Sequence, residues 1–222
     1  NGNNLGIKIT YAEQKYPRGL PDAFVIGKKF IGKSNIALIL GDNFFYGQNL
    51  TKILNQCCKL KSGAKVLLHK VSKPELYGVA KVNNKNKIIS IREKPKKYIS
   101  DLAITGLYFF DNKVIKYSKN LKPSKRGEVE ITDLLNKYKS KKKLTADYIG
   151  RGGAWLDTGS IEDFYKTSTF VSTIENRQGF KIACLEEIAL NKKWITKNQL
   201  KKMISRYKDN DYGKYLKTIL DK

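Results

Sequence analysis

The chain is poor in the residues that usually carry redox or transition-metal chemistry. Its 222 residues include three cysteines, Cys57, Cys58 and Cys184, with no C-x-x-C, and one histidine, His69. No disulfide framework or zinc site follows from such a set, and it fits a reducing cytoplasm. His69 sits alone in the apolar stretch "KVLLHKV" and reads as structural, since a lone His has no partner ligand. Long hydrophobic runs are lacking too. "NIALIL" is far too short to span a bilayer, and the opening "NGNNLGIKIT" lacks the basic-then-apolar order of a signal peptide. Arginine is scarce. Of 44 basic residues only Arg18, Arg92, Arg126, Arg151, Arg177 and Arg206 are Arg; the rest are Lys, spread along the chain. The formal net charge of +24 therefore comes without an arginine-rich arm or recognition-motif spacing. It reads as a general lysine bias that attracts polyanions weakly and in a salt-dependent way.

What is present suits a globular domain with an appendage. Hydrophobic residues make up 41%, enough for a real core despite 29% charged residues. "LGIKITYAE" reads as a strand, "LPDAFVIGKKFI" as a helix with Pro21 in its first turn, "NIALILGD" as a strand, "NLTKILNQCCKL" as an amphipathic helix and "AKVLLHKV" as a strand. This β-α-β-α-β order predicts an α/β sheet with helices on its faces. "YGVAKVNNKNKIISIREKP" then reads as two short strands around a turn at "NNKNK", "AITGLYFFD" as a buried strand, "DNKVIKYSKNL" and "EVEITDLLNKYKSKKK" as helices, and "LTADYIG" as a strand. From residue 160 the pattern is helical: "IEDFYKTSTFVSTIENRQG", "LEEIALNKKW", "TKNQLKKMISRYK" and "DYGKYLKTIL". We expect a core over 1–159 and a helical C-terminal part over 160–222.

Three acid-bearing segments stand at the ends of apolar runs, beside Gly or Pro: "LGDN" with Asp42, "IREKP" with Glu93 and Lys94, and "AWLDTGS" with Trp155 and Asp157. Taken singly, each is compatible with a turn, a surface loop or a helix cap. Taken together they predict one cleft at strand ends. Two aspartates far apart in sequence, with few other ligands, suit a hard cation such as magnesium that completes its shell with water and phosphate. Glu93 and Lys94 offer a hydroxyl acceptor and a phosphate partner, which suits a phosphorylated sugar.

The order of "AEQKYPRGLPDAF", "LGDNFFYG", "YGVAKV", "IREKP", "ITGLYFFD", "LKPSKRGEVEITD", "GRGGAWLDTGS" and "IENRQGFKIACLEEIA" resembles the glucose-1-phosphate thymidylyltransferase family over essentially the whole chain. The resemblance implies a Rossmann-like, mostly parallel sheet with helices on both faces, an inserted β-hairpin sugar-binding part and a helical C-terminus. It implies transfer of a thymidylyl group from dTTP to glucose 1-phosphate by in-line displacement, with Mg2+, as a step toward dTDP-rhamnose and related deoxysugars. It also implies a cytoplasmic homotetramer. Carried over, Asp42 and Asp157 match magnesium ligands, and Gln14 and Gly19 match contacts to the base. Tyr77, Gly78, Glu93, Ile104, Thr105 and Trp155 match the sugar pocket, and Lys94 matches a ligand of the sugar phosphate. Glu128 and Glu130, with Arg126 in the same "RGEVEITD" signature, fall loosely at the sugar end.

One departure carries a further expectation. The family's first strands and its glycine-rich loop have no counterpart here, so these 222 residues by themselves are expected to be inactive and prone to aggregate. Pro21 replaces a usually small residue. The rival readings are another nucleotidyltransferase using UTP, CTP or GTP, a non-catalytic subunit that binds sugar nucleotides, and a basic nucleic-acid binder.

Overall fold

A computed structural model describes residues 1–221 except 86 and 208. Its contacts divide the chain into two units, Ala12–Asp163 and Asn1–Tyr11 with Phe164–Lys222. The first unit is built on a six-stranded sheet of β1 (Ile36–Ile39), β3 (Ala64–Lys70), β4 (Gly78–Val82), β5 (Ile88–Glu93), β6 (Leu102–Phe110) and β7 (Leu144–Tyr148). Its order is β5-β4-β6-β3-β7, with β1 also paired to β6. Two further strands, β2 (Asn43–Tyr46) and β8 (Ala154–Asp157), form a separate antiparallel ribbon.

The pairing β3–β7 is parallel, whereas β1–β6, β3–β6, β4–β5 and β4–β6 are antiparallel. The sheet is mixed α/β, with more antiparallel pairing than the resemblance implied. For β4–β5 the cause is local: their short hairpin connection allows no crossover. Asn86, in the expected turn of that hairpin, lies outside the described residues, as does Lys208 at the end of "TKNQLKKMISRYK".

Side chains alternate across the sheet as the pleat requires. Val66, Leu68, Ile104, Tyr108 and Phe110 face one core, which is closed by Phe24, Ile31, Val114, Leu134, Leu135 and Tyr138 from α1 (Asp22–Ile26), α2 (Lys28–Ile31), α4 (Val114–Lys119) and α5 (Ile131–Ser140). Leu67, Ala103, Leu107 and Phe109 face the other, covered by Ile53, Leu54 and Cys57 of α3 (Leu50–Cys57) and by Trp155. Helices thus lie on both faces.

The second unit contains most of α6 (Ile161–Gln178), together with α7 (Leu185–Asn191), α8 (Lys197–Ile204) and α9 (Asp211–Leu220). Cys184, Ala189, Ile195, Leu200, Ile204 and Leu216 form its core. A capping box between Thr196 and Gln199 starts α8, and the Asn210 side chain caps α9. Residues 5–13, expected as a strand, form none. Ile7 N–H and Ile9 N–H donate to Gly2 and Asn1 carbonyls, so local turns take the groups a strand partner would need. No described helix is long and apolar enough to cross a membrane.

Candidate active site

A fork in the sheet makes the site. One edge of β6 is taken by β3; along the other, β4 pairs at Ala103 and β1 pairs from Leu107 to Phe110. Between those two partners no strand among the described residues pairs with the edge, and Gly106 is held there by the Leu40 N–H and the Asn43 side chain, each at 2.9 Å. Ile104, Gly106 and Tyr108 line a cleft of about 190 Å³ there, with Leu40, Tyr77, Gly78, Glu93, Lys94, Thr132, Trp155, Asp42 and Asp157 around it. Eight of the predicted site residues therefore meet in one place.

The two aspartates come together through the β2–β8 ribbon. Its register sets Asn43 opposite Asp157. Thr158 closes the gap: its N–H and its hydroxyl both donate to the Asp42 carbonyl, each at 2.8 Å. Burial pushes the Asp157 carboxyl above its usual range; the N–H of Gly159 opposes this, and the neighbouring Asp42 charge adds to it. A carboxylate whose ionisation is opposed by burial, with a second carboxylate beside it, suits a hard divalent cation, which would relieve that cost. Among the described residues no group of three or more His, Cys, Asp or Glu could hold a metal, so the candidate ligand set from the protein is this pair.

Glu93 and Lys94 stand at the end of β5. Gly78 pairs with Glu93 across β4–β5, and a Cβ on Gly78 would fall 3.2 Å from Glu93 Oε2, so glycine gives the carboxylate room. Burial and the Glu130 charge push the Glu93 carboxyl up; Lys94, Arg126 and a hydrogen bond from Thr132 oppose them. Lys94 has φ +38°, a left-handed conformation that a non-glycine residue adopts at some cost, and its N–H donates to the Tyr77 carbonyl at 3.0 Å. The Tyr77 ring packs edge-on to Trp155, with centroids 5.1 Å apart.

Other predicted residues lie elsewhere. Thr105 is fully buried and its hydroxyl donates to the Leu67 carbonyl at 3.1 Å, so it is not part of the cleft wall. The reason is the pleat: its neighbours Ile104 and Gly106 face the cleft, so Thr105 faces away. Gln14 and Gly19 are outside the wall but touch each other, Gln14 Nε2 donating to the Gly19 carbonyl at 3.2 Å. Gly19, at φ +106°, lies against Val129, where a Cβ would come 2.1 Å from the carbonyl oxygen. Arg126 and Glu130 line a wider neighbouring cavity of about 520 Å³ that shares Glu93, Lys94 and Thr132 with the cleft. Glu128 lines neither. Asn43, Gly106 and Thr132 are site residues that the sequence reading missed. The isolated glycine in "ITGLYFF" was the available signal, since glycine inside a strand marks close approach.

The family model described as nucleotidyl transferase matches residues 1–174. A glucose-1-phosphate thymidylyltransferase from Neisseria meningitidis is 45% identical over 222 residues, which is the whole of this chain and 77% of the relative. The enzyme of that name from Mycobacterium tuberculosis is 40% identical over the same spans. Among solved structures, a Bacillus anthracis protein assigned as a glucose-1-phosphate thymidylyltransferase, in complex with a sucrose, is 39% identical. It has a TM-score of 0.67 and covers 76% of this chain and 67% of its own. A UDP-glucose pyrophosphorylase complexed with UDP-glucose is 26% identical with a TM-score of 0.66, covering 74% and 66%. A paired-aspartate cleft on this fork of the sheet, and relatives at these identities along its full length, place the chain in the nucleotidyl transferase family.

Proposed function

We propose that this protein transfers a thymidylyl group from dTTP to glucose 1-phosphate, releasing pyrophosphate. The observation that carries the reading is the convergence of Asp42 and Asp157 with Glu93 and Lys94 around one cleft. The names of the relatives support the same substrates. Asp42 and Asp157 would hold the divalent ion that the family generally uses, here Mg2+, which supplies charge neutralisation on the nucleotide phosphates when bound.

The chain's own groups do the positioning. Glu93 accepts a hydrogen bond from a sugar hydroxyl. The Lys94 ammonium pairs with the sugar phosphate. Tyr77, Ile104 and Trp155 give the sugar ring an apolar wall, and Gln14 and Gly19 serve the base. A phosphate oxygen of glucose 1-phosphate then attacks the α-phosphorus in line, the new P–O bond forms, and the bond to pyrophosphate breaks. No enzyme side chain is covalently modified. Holding two polyanions in this alignment supplies the acceleration. Assembly as a homo-oligomer in the cytoplasm belongs to the same reading. The free Cys57, Cys58 and Cys184 are consistent with that compartment, and light scattering would measure the assembly.

The test is pyrophosphate release by the full-length protein with Mg2+, glucose 1-phosphate and each of dTTP, UTP, CTP and GTP. We expect dTTP to be used fastest. Asp42→Asn and Asp157→Asn should each lower turnover by about a hundredfold or more while the far-UV spectrum stays unchanged. Near-wild-type rates in both variants remove the metal assignment. Faster use of UTP replaces the nucleotide, and binding of dTDP-glucose without any turnover replaces the enzyme with a sensor.

A further inference from the structure

Asn43 makes three side-chain hydrogen bonds, and they end on three different parts of the site. Its Oδ1 accepts the Gly106 N–H at 2.9 Å and the Trp155 indole N–H at 2.6 Å. Its Nδ2 donates to Asp42 Oδ1 at 2.8 Å. The orientation of the amide follows from its partners. Turned over, it would set an NH2 against two N–H donors and an oxygen against a carboxylate, losing all three bonds at once. Gly106 completes the fit, because a Cβ there would fall 2.4 Å from Oδ1.

We infer that Asn43 is a positioning residue whose single amide fixes the Asp42 carboxylate and the Trp155 indole as one unit at the mouth of the cleft. This rests on the reading of Asp42 as a metal ligand given above. An aspartate at a strand end can rotate about its side-chain bonds. A donor on the next residue, Asn43 at the start of β2, restricts that rotation, and the donor is rigid because its own oxygen is tied to β6 and to β8. The wall against which the sugar packs and the carboxylate that serves the phosphates are thereby held in one geometry. A purely structural stitch between β2 and β6 would need the oxygen alone.

Asn43→Asp separates the two roles. It keeps an oxygen for Gly106 and Trp155 but puts an acceptor where Asp42 needs a donor. In a Trp194→Phe background, Trp155 is the remaining tryptophan of these 222 residues. With Asn43→Asp we expect the ligand-free Trp155 emission to be unchanged. We expect kcat at saturating Mg2+ to fall about tenfold or more, as for loss of a hydrogen bond to a charged group, with KM for glucose 1-phosphate within about twofold. Asn43→Ala should move the emission as well as kcat, and Gly106→Ala, which pushes the amide aside, should move the emission in the same way. Wild-type kcat in Asn43→Asp would overturn the inference, as would unchanged emission in both alanine variants. If the wild type itself shows no turnover, the transferase reading fails instead, and the emission of the alanine variants still decides whether the amide holds the indole.

Discussion

Glu93 is held between opposing forces, and its role depends on which prevails. Burial and the Glu130 charge raise its proton affinity, while Lys94, Arg126 and the Thr132 hydrogen bond lower it, and the first two win. Arg126 reaches Glu93 at 3.9 Å and Glu130 at 3.6 Å, so one guanidinium serves both acids. In the proposed reading Glu93 accepts a sugar hydroxyl as a carboxylate; protonated, it loses acceptor capacity. The acidic limb of kcat/KM should therefore lie above the ordinary carboxylate range. Arg126→Gln removes a charge that favours the ionised form, so the limb should move to higher pH. A pH–rate profile of the two proteins checks this; an unmoved or downward-moved limb contradicts it. At this scale the acids were legible in the sequence because each stands beside Gly or Pro at the end of an apolar run. Asn43 was not, because its partners Gly106 and Trp155 lie 63 and 112 residues away. Thr105 was misplaced for a simpler reason: adjacent strand residues face opposite sides, so Ile104 and Thr105 cannot share a pocket.

Strong periodicity marked the helices and the β3–β6 core, where burial decides conformation. It did not mark the β2–β8 ribbon. "NFFY" and "AWLD" are four residues each, and their strand character comes from pairing with each other across more than a hundred residues. The opposite error occurred near the N-terminus, where Ile7, Ile9 and Tyr11 alternate but find no strand partner among the described residues. Helix packing in the second unit supports another prediction. Glu186 of α7 is 5% exposed and accepts hydroxyl bonds from Tyr207 and, at 2.6 Å, from Tyr212 on α9. Burial raises its pKa, yet those two hydroxyls prevail and the net shift is downward. The linkage is then that of a depressed acid. Its stabilisation is fully present above the unfolded carboxylate pKa of about 4.5 and is lost as pH falls through the folded value. Glu186→Gln turns one acceptor into an amide donor and strands a tyrosine hydroxyl, which should cost about 2 kcal/mol at pH 7. Urea unfolding at pH 7 and below pH 4 measures this. The difference between wild type and variant should shrink in acid, and a difference that stays constant or grows would show that the ionised carboxylate is not what joins these helices.

Across the whole molecule the formal charge is +24, from 44 basic and 20 acidic residues. Several acids already have basic partners, among them Asp147 with Lys65 at 2.7 Å, Asp101 with Lys70 at 2.9 Å and Glu175 with Lys181 at 2.8 Å. The excess lysine has no comparable number of acids to meet, so the folded chain repels itself. The repulsion is long-ranged at low salt, where the screening length is about 30 Å at 0.01 M, and short-ranged at 0.15 M, where it is about 8 Å. The same field draws in the two polyanionic substrates. Added NaCl should thus act in opposite directions on two observables. Tm should rise by a few degrees between 0.01 and 0.15 M, as a change of about 1 kcal/mol in a chain of this size produces. Over the same range kcat/KM for dTTP should fall, because steering weakens. Scanning calorimetry and initial rates across one salt series test both, with an uncharged osmolyte as the control for general exclusion from the surface. A Tm that falls with salt would mean that ion pairs, and not the unpaired lysines, dominate the electrostatics of the fold.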